Sequence, residues 1–118
     1  MRVLAFEDSY DIEALLDSAG IKHQISHITQ RWDSSNPLEH IAKVRPDVLL
    51  LDYYMPPHTG LEVLQLLNEA VAKGKAVRPP TIVAMSSEAG ANAVMFQKGA
   101  NHQVIKFDLH TLDIWNVT

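Results

Sequence analysis

The stretch Val48-Leu49-Leu50-Leu51-Asp52-Tyr53-Tyr54-Met55-Pro56 decides the fold. Apolar residues run into a single carboxylate, and the chain then breaks at proline. A short apolar run bounded by turn residues is the pattern of a strand buried on both faces, as in a parallel sheet. A carboxylate at the C-terminal end of such a strand has little structural work to do, and a charge beside buried chain needs a partner. In open α/β sheets that edge is where ligands bind. Asp52 is therefore the first candidate for chemistry.

Working outward, similar runs recur. Val3 to Phe6 is a first strand that ends in Glu7-Asp8-Ser9, where Asp8 or Ser9 is a candidate helix cap. Ile12, Leu15, Leu16 and Ala19 follow at helical spacing, and Gly20 stops the helix. Ile25 to Thr29 is expected as a strand at the sheet edge, followed by a polar loop from Gln30 to Asn36. Pro37 suits a first helical turn, and Leu38, Ile41, Ala42 and Val44 give a short amphipathic helix ended by Arg45-Pro46-Asp47. Asp47 to Leu51 is the third strand, and Pro56 to Gly60 is expected as a loop. Leu61 to Val71 is a long helix that stops at Gly74, and Lys73 to Pro80 is a basic, proline-containing connection. Thr81 to Met85 is the fourth strand and leads into Ser86-Ser87-Glu88. A weaker helix carries Ala91, Val94, Met95 and Phe96 and ends at Gly99. Gln103 to Ile105 is a short fifth strand before Lys106, and Asp108 to Trp115 is expected as a last short helix. Strand–helix alternation repeated in this way implies a parallel sheet with helices on both faces, joined by right-handed crossovers.

Length and composition agree. The chain has 118 residues, 47% of them hydrophobic, which suits one domain, 1–118, with a real core. The net charge of −4 and the lack of a basic stripe argue against direct nucleic-acid binding. With no cysteine, disulfides and thiolate metal sites are excluded. The apolar run at the N-terminus is too short for a signal peptide, and no stretch approaches the ~20 apolar residues of a membrane span. The expected setting is cytoplasmic, with no membrane partner.

The strand ends then supply a constellation. The first strand delivers Glu7 and Asp8, the third Asp52, the fourth Ser86 and the fifth Lys106. Parallel strands bring these ends to one edge. Carboxylates held close raise one another's pKa values, and a divalent cation relieves the repulsion. Mg²⁺ suits the donor set, because it takes oxygen ligands and tolerates few carboxylates beside water and phosphate. Such a site fits in-line phosphoryl transfer. Asp52 would be the nucleophile, Lys106 would supply positive charge to the phosphoryl oxygens, and Ser86 a hydroxyl donor.

In this order and spacing the residues resemble a response-regulator receiver domain of two-component signalling, similar to the stand-alone chemotaxis type. The likeness rests on Glu7-Asp8 after strand one, Asp52 closing its apolar run and Met55-Pro56 just beyond it. Gly60 opening the next helix, Ser86 ending strand four, Gly99-Ala100 before strand five and Lys106 ending it complete the set. It implies a flavodoxin-like five-stranded sheet in the order 2-1-3-4-5. It also implies that Asp52 accepts a phosphoryl group from a phosphohistidine on a histidine kinase or histidine phosphotransfer protein. Asp8, Asp52 and the backbone carbonyl of Tyr54 would hold Mg²⁺, with Glu7 helping directly or through water. Ser86 would then move towards the phosphoryl group and reshape a surface that a downstream output protein reads. The chain's own catalysis would be limited to self-phosphorylation and self-dephosphorylation, which is not an enzyme in the usual sense.

The sequence departs from that family in three ways. Phe107 stands where proline usually follows the lysine with a cis bond, so Lys106-Phe107 is expected to be trans. Gln103 stands where the switch aromatic is usual, and little chain follows Lys106 to build a last helix. Bulky Tyr54 is expected to slow attack of water on a phosphoryl aspartate. The alternative is a pseudo-receiver, a phosphorylation-independent interaction module, favoured by Phe107 and Gln103. A flavin-binding module of the same sheet order would need a phosphate loop where Glu7-Asp8-Ser9-Tyr10 stands. Taken singly, Asp8 reads equally as a cap, Glu7 as a solvated acid, Ser86 as a turn residue and Lys106 as a surface lysine. His23 and His27 read as scattered surface histidines, and His58 lies near the site. Met55 and Met95 read as core or loop residues, Trp115 as core and Trp32 as an exposed aromatic.

Overall fold

Apolar runs that need cover on both faces become the middle of a sheet here, and amphipathic segments become that cover. The computed structural model describes residues 1–21 and 24–116, so His23 lies outside the described residues. The strands are β1 (Arg2–Phe6), β2 (His27–Arg31), β3 (Val48–Leu51), β4 (Tyr54–Met55), β5 (His58–Thr59), β6 (Thr81–Ala84) and β7 (His102–Gln103). The helices are α1 (Ile12–Ser18), α2 (Pro37–Val44), α3 (Gly60–Ala72) and α4 (Ala89–Gln97). A parallel five-stranded sheet has the order β2-β1-β3-β6-β7, which is the expected 2-1-3-4-5 once the small β4–β5 ladder is set aside.

Strand alternation divides the core into two layers. Leu4, Phe6, Leu49, Leu51, Ile82 and Ala84 face one way, onto Ile41 of α2, Val63, Leu64 and Leu67 of α3 and Met95 of α4. Val3, Ala5, Val48, Leu50 and Val83 face the other way, onto Ile12 and Leu16 of α1 and onto Leu109 and Trp115. Every residue of β3 is buried, as its uninterrupted apolar run requires.

Several elements differ from the sequence reading. The edge strand β2 runs from His27 to Arg31, two residues later than expected. Its register is set by β1, Arg2 opposite His27 and Phe6 opposite Arg31, so pairing carries the polar Gln30 and Arg31 into the ladder. Ser26 stays outside, its N–H bonded to Met1 O at 2.9 Å. The cap of α1 is Asp11, which accepts from the N–H of Ala14 at 3.1 Å, and not Asp8 or Ser9. The expected loop from Pro56 to Gly60 contains β5, which pairs with β4 just before it, Tyr54 opposite Thr59 and Met55 opposite His58. Buried Ser34 stitches that ladder to the loop before α2: its hydroxyl accepts from the N–H of His58 at 2.7 Å and donates to the carbonyl of Met55.

At the far edge β7 is His102–Gln103, earlier than the expected 103–105. Val104 adds one further bond, its N–H to Ala84 O at 3.0 Å. The expected last α-helix is instead two 3₁₀ turns, Lys106–Thr111 and Asp113–Trp115. Leu109, Leu112 and Trp115 recur at every third position, which is the 3₁₀ period and not the α period. That spacing packs all three against the same layer, and the Trp115 indole donates to Leu109 O at 2.9 Å.

Candidate functional site

The loop after β1 is shaped from both sides. The Gln30 amide of β2 accepts from the N–H of Ile12 at 2.9 Å and donates to the carbonyls of Glu7 at 3.0 Å and Tyr10 at 2.8 Å. Glu7 folds inward and is fully buried, one carboxylate oxygen accepting from the N–H groups of Ser9 at 2.8 Å and Tyr10 at 2.9 Å. Asp8 is exposed. Asp52, one residue past β3, is 6% exposed, and its N–H bonds to Phe6 O at 3.0 Å, which ties the two acidic loops together.

Gly60 fixes how close α3 comes to this loop. A Cβ there would sit 1.9 Å from the backbone oxygen of Asp52, so no other residue fits without moving backbone. The Gly60 N–H donates to Tyr53 O at 2.7 Å. The capping box of Thr59 and Glu62 starts α3 at this point.

Lys106 enters from beyond β7 and is 4% exposed. Its Nζ lies 2.7 Å from Glu7 Oε1 and 3.6 Å from Asp52 Oδ2. Oxygens of Glu7, Asp8 and Asp52 all lie within 4.8 Å of one another. The structure thus brings four of the five expected side chains to one point.

The fifth, Ser86, ends the neighbouring strand. Met85 N–H bonds to Leu51 O at 2.9 Å, so Ser86 follows directly beside the Asp52 loop. It is buried, and its hydroxyl accepts from the N–H of Glu88 at 3.1 Å. Tyr54 begins β4, is 59% exposed, and sets its ring edge-on to that of Tyr53 at 4.8 Å. The only cis peptide bond among the described residues is Pro56-Pro57, so Lys106-Phe107 is trans, as expected.

The electrostatics follow from burial. Desolvation pushes the Asp52 carboxyl up from 3.8 to about 6, reinforced by Glu7 and opposed by the Tyr53 N–H and by Lys106. Burial alone would lower the Lys106 amine, but its contacts with Glu7 and Asp52 outweigh this and raise it. Glu7 Oε1 is buried and lacks an aligned hydrogen bond, although the Lys106 amine is near. Three carboxylates against one ammonium leave the cluster short of positive charge, with one acid open to solvent. Those features fit a hard divalent cation that takes oxygen ligands.

Tyr10 and Asn92 contribute without a clear mark in the sequence, and Phe107 joins Tyr10 in a contact that its position after Lys106 does not announce. Tyr10 lies over Lys106, 5.2 Å from Nζ to the ring centroid, and meets Phe107 edge-to-face at 5.1 Å. This aromatic pair brackets the lysine, Phe107 being its neighbour in the chain. Buried Asn92 accepts from the N–H of Ser86 at 2.7 Å and donates to Ser86 O at 2.8 Å and Val104 O at 2.9 Å. It clamps the end of β6 to the segment after β7. The available signal for Asn92 was one amide among the apolar positions of α4.

Comparison with known proteins supports the fold. No family model matches the chain, and no curated protein matches it in sequence. Solved structures do match. The receiver domain of the histidine kinase CKI1 from Arabidopsis thaliana, complexed with Mg²⁺ and BeF₃⁻, aligns with TM-score 0.73 at 20% identity, over 98% of this chain and 85% of that one. The BeF₃⁻-activated N-terminal receiver domain of Klebsiella pneumoniae RstA aligns with TM-score 0.69 at 21% identity, over 90% and 86%. The response regulator TrrA from Thermotoga maritima, in complex with Mg²⁺ and beryllium fluoride, aligns with TM-score 0.65 at 21% identity, over 89% and 85%. The structural neighbours are receiver domains, and the chain has the receiver-domain fold.

Proposed function

We propose that this chain is a phospho-accepting receiver domain whose acceptor is Asp52. The observation that carries the reading is the meeting of Asp52 with Lys106 at 3.6 Å, beside the oxygens of Glu7 and Asp8. The structural neighbours that hold Mg²⁺ and a beryllium fluoride group support it. The phosphoryl donor is a phosphohistidine of a histidine kinase or phosphotransfer protein. An ionised Asp52 oxygen attacks phosphorus, the N–P bond breaks with its electron pair staying on the imidazole nitrogen, and the departing imidazole takes a proton from solvent.

Glu7, Asp8, Asp52 and the Tyr54 carbonyl are the residues that would hold Mg²⁺, which supplies neutralising charge and favours ionised Asp52. Lys106 faces the oxygens on which charge accumulates. Ser86 hydrogen-bonds the new phosphoryl group and carries the 86–88 turn with it. Phosphorylation replaces the single carboxylate charge with roughly two on the phosphoryl group, about one more negative charge at a nearly closed site. The resulting shift is read by a downstream protein. Hydrolysis returns the carboxylate, so the chain's own chemistry is self-phosphorylation and self-dephosphorylation, in a cytoplasmic setting.

A small-molecule phosphoryl donor tests this. With phosphoramidate and Mg²⁺, intact-mass analysis is expected to show one added phosphoryl group, absent without Mg²⁺ and absent in Asp52→Ala. A chain that stays unmodified under every donor, while remaining folded, is a pseudo-receiver and the proposal fails.

A further inference from the structure

We propose a second binding site at the opposite edge of the sheet, for a small organic anion with an apolar body. A cavity of about 500 Å³ opens between α2, α3 and the 73–80 connection, at the N-terminal ends of β1, β3 and β6. Its size is that of a small-molecule pocket, which is typically concave, mostly apolar and furnished with a few polar groups. Buried Ile41 and Leu67 line it, with Leu38 and Ala76 beside them.

Its charged lining is one-sided. Arg2, Arg45, Lys75 and Arg78 line the cavity, four of the chain's ten basic residues, against one acid, Asp47. The protein as a whole carries −4, so this is a local reversal of sign. Asp47 is already engaged by the backbone N–H of Arg2 at 2.8 Å. Arg78 is held by the carbonyls of Pro79 and Gly99, each at 2.8 Å. Among the described residues no acidic side chain pairs with Arg2, Arg45 or Lys75.

Arg45 adds an independent mark. It closes α2 in the left-handed region, φ 53°, its N–H bonded to Ile41 O at 2.9 Å. Glycine is the residue that takes such a cap without strain. The chain instead places an unpaired guanidinium there, beside an apolar cavity. Unpaired cations against low-dielectric walls focus field into the opening and draw in an anion. The apolar walls favour a single aryl or alkyl body over a polyanion, and a carboxylate is the matching head group for arginine. The site stands apart from Asp52 and does not depend on its chemistry.

The test is an amide NMR titration of the intact chain with 2-naphthoate and, separately, with neutral 2-naphthylmethanol. Naphthoate is expected to give saturable shifts at Ile41, Leu67 and Ala76 and to bind about tenfold more tightly than the alcohol. The double variant Arg45→Gly/Lys75→Gln is expected to lose that tenfold preference while its thermal midpoint holds or rises, because the strained cap is relieved. Equal affinity for acid and alcohol, shifts away from these residues, or no saturation would each overturn the proposal. Tighter binding of a glutamate-rich peptide than of naphthoate would overturn it in favour of a protein-docking surface.

Discussion

The two edges of one sheet carry opposite kinds of order. At the C-terminal edge, charge is buried and interlocked: Glu7, Asp52 and Lys106 are all nearly inaccessible and touch one another. At the N-terminal edge, Arg2, Arg45 and Lys75 line an apolar cavity and, among the described residues, pair with no acidic side chain. The same strands support both because loops at the two ends are independent of the core between them. Charge at the first edge is therefore coupled to folding, whereas charge at the second is nearly free to vary.

That contrast is sharpest for single cations. Lys106→Met removes the one positive group from two buried acids, and a loss of about 3 kcal/mol is expected in denaturant unfolding. Arg45→Gln at the other edge is expected to stay within about 0.5 kcal/mol. Equal losses in the two variants would break the comparison.

Asn92→Ala tests whether the buried order extends to the turn that begins at Ser86. The change strips hydrogen bonds from both backbone groups of Ser86, and a loss of about 2 kcal/mol is expected. A loss no larger than for a surface asparagine would show that Ser86 is held by other means.

Asp52→Asn has the opposite sign. Asp52 titrates near 6 when folded, above its usual 3.8, so the folded state binds the proton more tightly than the unfolded state. Stability from this group is full below 3.8 and is lost as pH rises through 6. At pH 7 without divalent cation the asparagine variant is expected to be more stable by about 1–2 kcal/mol, after discounting for screening. The gap should close as pH falls through the same window. A variant less stable than wild type at pH 7 would contradict the burial argument.

The smallest effect concerns Tyr54. Replacing this exposed ring by asparagine is expected to speed loss of the phosphoryl group about threefold, some 0.6 kcal/mol off the barrier. Unchanged decay would remove Tyr54 from the account.

What the sequence made legible follows the same division. Central strands such as β3 announce themselves, because burial on both faces demands an unbroken apolar run. The polar strand ends converge by topology alone, so Glu7, Asp8, Asp52, Ser86 and Lys106 were readable before any coordinates. Edges were less readable. Gln30 and Arg31 join β2 because β1 offers them hydrogen bonds, which no local pattern records. Val104 and Ile105 look like strand but fall past the last paired residue, Gln103, although the Val104 N–H still reaches Ala84 O. Leu109, Leu112 and Trp115 suggested an α-helix, although their spacing of three is that of the 3₁₀ turns observed. Tyr10 and Phe107 meet only in three dimensions, far apart in sequence, and nothing local marks the pair.

The most direct measurement is amide NMR of the chain with Mg²⁺ and beryllium fluoride. Large shifts at Ser86 and Lys106 are predicted, requiring both additives and vanishing in Asp52→Ala. Spectra that do not change on adding the two together, or that change equally in Asp52→Ala, would contradict the assignment of Asp52 as the phosphoryl acceptor.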